Sequence, residues 1–197
     1  MKVSSLSFFF GHPIPERFAY GKIAKDGRTV HADNLNPHLA WTDVPAGCRS
    51  FFIACLDDDV PTNRDEHDAR GEIPATQARR RFVHWVQTDI PAEVREIPEG
   101  ALSNRFAAGF GRPGLNDYCR DGEIAMGETG SGYDGPCPPF WDARWHTYRF
   151  IVIALDVATL SLPERFTWQE AEAAMKGHVL ETDEWIGIYS LNPRIVL

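Results

Sequence analysis

A chain of 197 residues, 43% hydrophobic and 24% charged, suits one domain with a sizeable core and is too apolar for disorder. Its formal charge of −8 opposes phosphate backbones and anionic lipid surfaces, which argues against broad nucleic-acid binding and non-specific membrane docking. A few donors gathered in a pocket can still outweigh that field and hold a small anion.

In chain order, the first apolar run ends in Phe8-Phe9-Phe10. It is too short and too aromatic for a secretory signal, and no small-residue cleavage site follows. No stretch is long enough to span a bilayer, so the expected setting is the cytosol, without integral membrane association. Ser50–Leu56 (SFFIACL) is a continuous apolar run of strand length, followed by the acidic turn Asp57-Asp58-Asp59-Val60-Pro61. Thr62 to Arg81 is polar and ends in Arg79-Arg80-Arg81, which reads as a solvated loop edge in preference to a ligand patch. Phe82–Val86 (FVHWV) is β-branched and aromatic and predicts a strand with His84 on the face of Phe82 and Val86. Ala107 to Gly135 reads as a long, glycine-rich loop system, a kind of segment that often carries function.

His146 to Val157 predicts an interior strand covered on both sides. Phe150, Val152 and Ala154 share one face, and Ile151, Ile153 and Leu155 the other. Thr167 with Glu170 fits a capping box and Gly177 a C′ position, which predicts a helix over Trp168–Lys176 with Ala171, Ala174 and Met175 inward. Trp185–Tyr189 reads as a last strand or packing segment. The fold class is mainly β, in a single domain over 1–197, with a few peripheral helices, one near the C-terminus. Cys48, Cys55, Cys119 and Cys137 lack Cys-x-x-Cys spacing, so reduced thiols are expected, with no metal and no cofactor.

The residues that could do chemistry lie at strand ends. His84 is on one strand; His146 and Tyr148, two apart, point the same way on another; Asp57 and Asp59 follow a third. Gly132-Tyr133-Asp134-Gly135-Pro136-Cys137-Pro138-Pro139 could hold backbone N–H groups rigidly toward an anion. Taken singly, a strand histidine is more often a satisfied core or surface residue, and a Gly/Pro run is more often a plain turn.

Taken together, these pieces match a known pattern. Asp57-Asp58-Asp59-Val60-Pro61 stands for Asp-Pro-Asp-x-Pro and is followed by the strand that carries His84. Gly135-Pro136-Cys137-Pro138-Pro139 leads to His146-Thr147-Tyr148, a His-x-Tyr. Asn34-Leu35-Asn36-Pro37-His38-Leu39-Ala40-Trp41 is similar to Asn-x-Ser-Pro-x-Leu-x-Trp. In these motifs and their order, from about Phe18 to the C-terminus, the chain resembles the phosphatidylethanolamine-binding proteins, or Raf-kinase-inhibitor-like proteins, and their bacterial branch above all. It departs from them at Asp58 (usually proline), Asn36 (usually serine) and Thr147 (frequently arginine). Its segments Thr62–Arg81 and Arg120–Ser131 are longer than in short eukaryotic members.

The resemblance implies an antiparallel β-sandwich with flanking helices and one small pocket lined by Asp57, Asp59, His84, Gly135, Pro139, His146 and Tyr148. That pocket is expected to bind phosphate-like anions or phospholipid head groups such as phosphoethanolamine, without catalysis. On chemical grounds His84 and His146 are expected to donate to the anion, with Asp57 positioning His84. Two alternatives belong to other classes: a regulator or inhibitor of a kinase or protease acting by protein–protein contact, and a metal-dependent hydrolase using the His/Asp cluster. The spacings match no metal motif, and no Gly-x-Ser-x-Gly is present. A homodimer formed through exposed strand edges is left open.

Overall fold

The computed structural model describes residues 1–103, 109–120, 130–195 and 197, with Arg120 described in its backbone alone. Parts of the glycine-rich stretches Ala107–Gly135 and Arg120–Ser131 therefore lie outside the described residues. The strands are β1 (Lys2–Ser4), β2 (Gly21–Ile23), β3 (Thr29–His31), β4 (Leu39–Thr42), β5 (Ser50–Pro61), β6 (Arg79–Pro91), β7 (Glu96–Ile97), β8 (Arg112–Pro113), β9 (His146–Leu155) and β10 (Val179–Tyr189). The helices are α1 (Asp117–Arg120) and α2 (Trp168–Ala174), with a 3₁₀ turn at Glu16–Phe18.

An antiparallel five-stranded sheet in the order β10-β9-β5-β6-β8 carries the molecule. A three-stranded sheet, β1-β4-β7, packs on one face of it, and β2-β3 forms a separate hairpin. Because β5 and β9 alternate between two apolar faces, the sheet has a core on each side. Phe51, Ile53, Cys55, Phe150, Val152 and Ala154 meet Leu39, Trp41 and Ile97 of the small sheet. Phe52, Ala54, Leu56, Ile151, Ile153 and Leu155 meet Trp168, Ala171 and Met175 of the α2 region. This is the face assignment that the period of two predicts for β9.

The α2 cap forms as its sequence signals. The Thr167 side chain accepts from Glu170 N–H, and the Glu170 carboxylate accepts from Thr167 N–H. The helix stops at Ala174, two residues short of expectation. Lys176 N–H turns back to the Ala173 carbonyl, and Gly177 follows at φ +83°.

Three local differences from expectation bear on the site. The acidic stretch is the end of β5 and not a turn beyond it, since pairing with β6 continues to Pro61↔Arg79. For the same reason the basic triplet begins β6 and is not a loop edge. Between Cys55↔Trp85 and Leu56↔Val83 the partner strand takes two steps for one, so His84 is the extra residue of a β-bulge. Further, the edge strand β10 is not bare. Gly11 N–H bonds the Ile186 carbonyl, Ile188 N–H the His12 carbonyl, and Ile14 N–H the Ile188 carbonyl.

Candidate functional site

The bulge aims His84. In an unbroken strand His84 and Val86 would share a face. Here Val83 and Val86 pack into the α2-side core, while Trp85 joins the sandwich core. His84 turns to the sandwich side beside Phe82, their rings 4.8 Å apart, and meets the Tyr148 ring edge-on at 5.1 Å. The expected company of His84 and Val86 therefore fails because one inserted residue resets the alternation.

The two histidines do converge, on Asp57. Asp57 Oδ2 lies 2.7 Å from His146 Nδ1 and 3.9 Å from His84 Nε2. Asp57, His84, His146 and Tyr148 are each 3% exposed or less. Burial alone would raise the Asp57 carboxyl, but the hydrogen bond and charge of His146, with a further contribution from His84, hold it well below the usual carboxylate range. At 3.9 Å the His84 contact is a charge contact without a hydrogen bond, so His146 is the principal partner. The expected pairing of Asp57 with His84 is thereby shifted to His146.

His146 takes a different part from the expected anion donor. Its other nitrogen, Nε2, is 3.0 Å from Asp142 Oδ2. Two ionised carboxylates accept only, so both ring N–H groups point at carboxylates and neither is left for a ligand. Burial pulls the imidazole down, yet the two carboxylates outweigh it and raise its pKa from 6.5 to about 9. His84 is arranged otherwise. Its Nδ1 is 2.8 Å from the Asp134 carbonyl, which makes Nδ1 the protonated nitrogen and turns Nε2 toward Asp57.

The remaining expected residues have supporting places. Asp59 gives its carboxylate to Arg144 at 2.8 Å and to Thr147 N–H at 2.8 Å, and its own N–H to Asp57 Oδ1 at 2.7 Å. It ties the start of β9 to β5, with its carboxylate on Arg144 and Thr147 and not on either imidazole. Gly135 packs so close to the Phe18 carbonyl that a Cβ would lie 2.0 Å from its oxygen. Its N–H is engaged by Asn34 Oδ1 at 2.8 Å, so the idea that this glycine's N–H faces an anion does not hold. The Pro139 carbonyl accepts Asp142 N–H and so forms the turn that delivers Asp142. The departures from the family pattern face elsewhere: Asp58 pairs with Arg81, and Asn36 caps the backbone at Leu102.

Several contributors have no signature of their own in the sequence. Asp142 lies four residues before His146. Arg79 forks onto both Asp142 oxygens. Asn116 holds the Asp134 carboxylate at 2.6 Å, joined at 2.9 Å by Asn34, which does open the Asn34–Trp41 motif. Tyr118 packs at a tilt against Tyr20, ring centres 4.7 Å apart, meets His84 edge-on at 5.8 Å and donates to the Gly135 carbonyl. Among the described residues, the buried Tyr148 hydroxyl has no hydrogen-bond partner. Burial raises its pKa well above 10.0, so it stays a donor.

The family model described as phosphatidylethanolamine-binding protein matches residues 4–190. The chain belongs to the phosphatidylethanolamine-binding protein family. A UPF0098 protein of Aquifex aeolicus is 32% identical over 189 residues, covering 96% of this chain and 88% of its own length. YbhB of Escherichia coli is 33% identical over 164 residues, covering 83% and 84%. The crystal structure of CT736 from Chlamydia trachomatis, described as a homolog of the same family, superposes with a TM-score of 0.65 at 29% identity over 95% of both chains. Escherichia coli YbcL shares the fold, with a TM-score of 0.67 at 21% identity over 96% of this chain and 97% of its own. In this phosphatidylethanolamine-binding protein family member, no described helix is long and apolar enough to cross a membrane.

Proposed function

We propose that the chain binds a small phosphate-bearing group, of the kind found in phosphoethanolamine head groups, and holds it without converting it. The observation that carries this reading is the orphaned Tyr148 hydroxyl, a buried donor beside His84. A buried donor without an acceptor costs about 1–3 kcal/mol, and a phosphate oxygen would satisfy it. Charge supports the same reading. Arg79 and His146 balance Asp57 and Asp142, so a charged His84 would complement an incoming anion. The ammonium of a zwitterionic head group would suit the carboxylate of Asp57. The family name points the same way.

Phe82 and Tyr118 cover His84, so ligand entry requires these rings to move. A neutral His84 has its one N–H on the Asp134 carbonyl, and only the charged ring also donates from Nε2. Titration with inorganic phosphate and with phosphoethanolamine, followed by NMR of the His84 ring, tests this reading. Saturable shifts are expected, and Tyr148→Phe is expected to lower affinity roughly tenfold, the loss of one strong hydrogen bond. His84 signals unmoved by either compound would overturn the reading.

A further inference from the structure

His146 is gripped from two sides, and the second grip belongs to no motif. Asp142 precedes β9 and is fixed at almost every polar atom. Its N–H meets the Pro139 carbonyl, its Oδ1 accepts from Arg144 N–H at 3.1 Å, and its carbonyl accepts from Asn192 at 3.0 Å. Behind it stands Arg79, the first residue of β6. One guanidinium nitrogen reaches both Asp142 and the Asp59 carbonyl at 2.9 Å; the other reaches Asp142 and the Pro74 carbonyl at 2.9 Å. The Arg79 side chain is 8% exposed and that of Asp142 is 1% exposed. An ion pair this deep gains little stability over apolar packing, because both charges lose water. What it does provide is direction: the Asp142 Oδ2 that Arg79 holds also meets His146 Nε2.

We infer that Asp142, clamped by Arg79, is the positioning residue for Asp57: it holds His146 as a two-armed donor whose second arm fixes the carboxylate facing His84. The inference deepens the anion-binding reading and rests on it for its effect on affinity, though not for its geometry. The groups that face His146 are Asp57 from β5, Asp142 from the segment before β9 and the Tyr148 ring from β9 itself. His84 of β6 lies across Asp57, and Arg79 of β6 lies behind Asp142. Arg79 and His146 are two cations facing two anions, Asp57 and Asp142. Removing the Asp142 charge leaves Arg79 and His146 as two cations with one carboxylate between them and the pocket. His146 then loses its proton, and Asp57 loses the partner that holds it charged and in place.

The test uses the whole chain, with nitrogen-detected NMR of the imidazoles and inorganic phosphate as the probe. In the unaltered protein His146 is expected to be an imidazolium about one pH unit above the ordinary histidine value. In Asp142→Asn it is expected to be neutral at that pH, with phosphate affinity reduced roughly tenfold. Arg79→Lys keeps a cation behind Asp142 and is expected to retain the charged His146 and most of the affinity. That rescue separates positioning from general damage to the fold. A neutral His146 in the unaltered protein overturns the inference even if no variant folds. So does a folded Asp142→Asn protein with His146 still charged and affinity unchanged. Should the unaltered protein bind no phosphate while His146 is charged in it and neutral in Asp142→Asn, the anion reading fails and the clamp stands.

Discussion

At the scale of single residues, the charge on His146 makes stability depend on pH. Its pKa in the folded chain is raised to about 9 from an ordinary 6.5. The folded state therefore binds this proton more tightly than the unfolded one. That stabilisation is fully present below 6.5 and is lost as pH climbs through about 9. The difference corresponds to roughly 3 kcal/mol as an upper bound, and it already includes the attraction that lowers Asp57 and Asp142, which must not be counted again. On the acid side the sign reverses: the carboxylates contribute above their ordinary 3.8 and lose that contribution as pH falls below it. Calorimetric melting temperatures are expected to form a plateau between these limits and to decline toward pH 9. Asp142→Asn is expected to flatten the alkaline decline. An alkaline limb identical in both proteins would show that His146 is not its source.

At the scale of elements, α2 shows how local sequence sets a boundary. Thr167→Ala removes the side-chain acceptor for Glu170 N–H and is expected to cost about 1 kcal/mol, measured by urea denaturation, without changing the sheet. Elements of this kind are legible because their signals are local. Phe150 to Leu155 alternate between two cores just as the period of two requires. The site is only half legible, for a related reason. Asp57, His84, His146 and Tyr148 stand out because polar groups at the ends of apolar strands are conspicuous. What each of them does is set by partners distant in sequence. Asp142 looks like a loop residue and Arg79 like part of a solvated basic run until the pairing Pro61↔Arg79 draws that run into β6. The bulge at His84 is equally silent, since nothing within Phe82–Val86 distinguishes a strand that skips a pairing from one that does not. Gly135 and Asp59 carry the family pattern, yet their polar groups serve the scaffold: Asn34 and Thr147 claim what a ligand was expected to meet.

At the scale of the whole molecule, one sheet serves two cores, and the cluster of Asp57, His84 and His146 lies at one end of the sandwich core, on β5, β6 and β9. β5 meets β6 over Ser50↔Pro91 to Pro61↔Arg79, and β9 meets β5 from the other side over Leu155↔Ser50 to Tyr148↔Asp57. These long-range pairings set Asp57 between the two histidine strands, so the site is assembled only when the whole sheet is. The flank of that sheet has a consequence of its own. The hydrogen bonds that Gly11, His12 and Ile14 make to Ile186 and Ile188 work like a hem sewn along raw cloth. Unpicking it by deleting residues 1–14 would leave the last strand free to zip onto its counterpart in a neighbouring molecule. Concentration-dependent light scattering from such a shortened chain, absent from the intact one, is the expected sign that these residues keep two molecules from pairing along this edge.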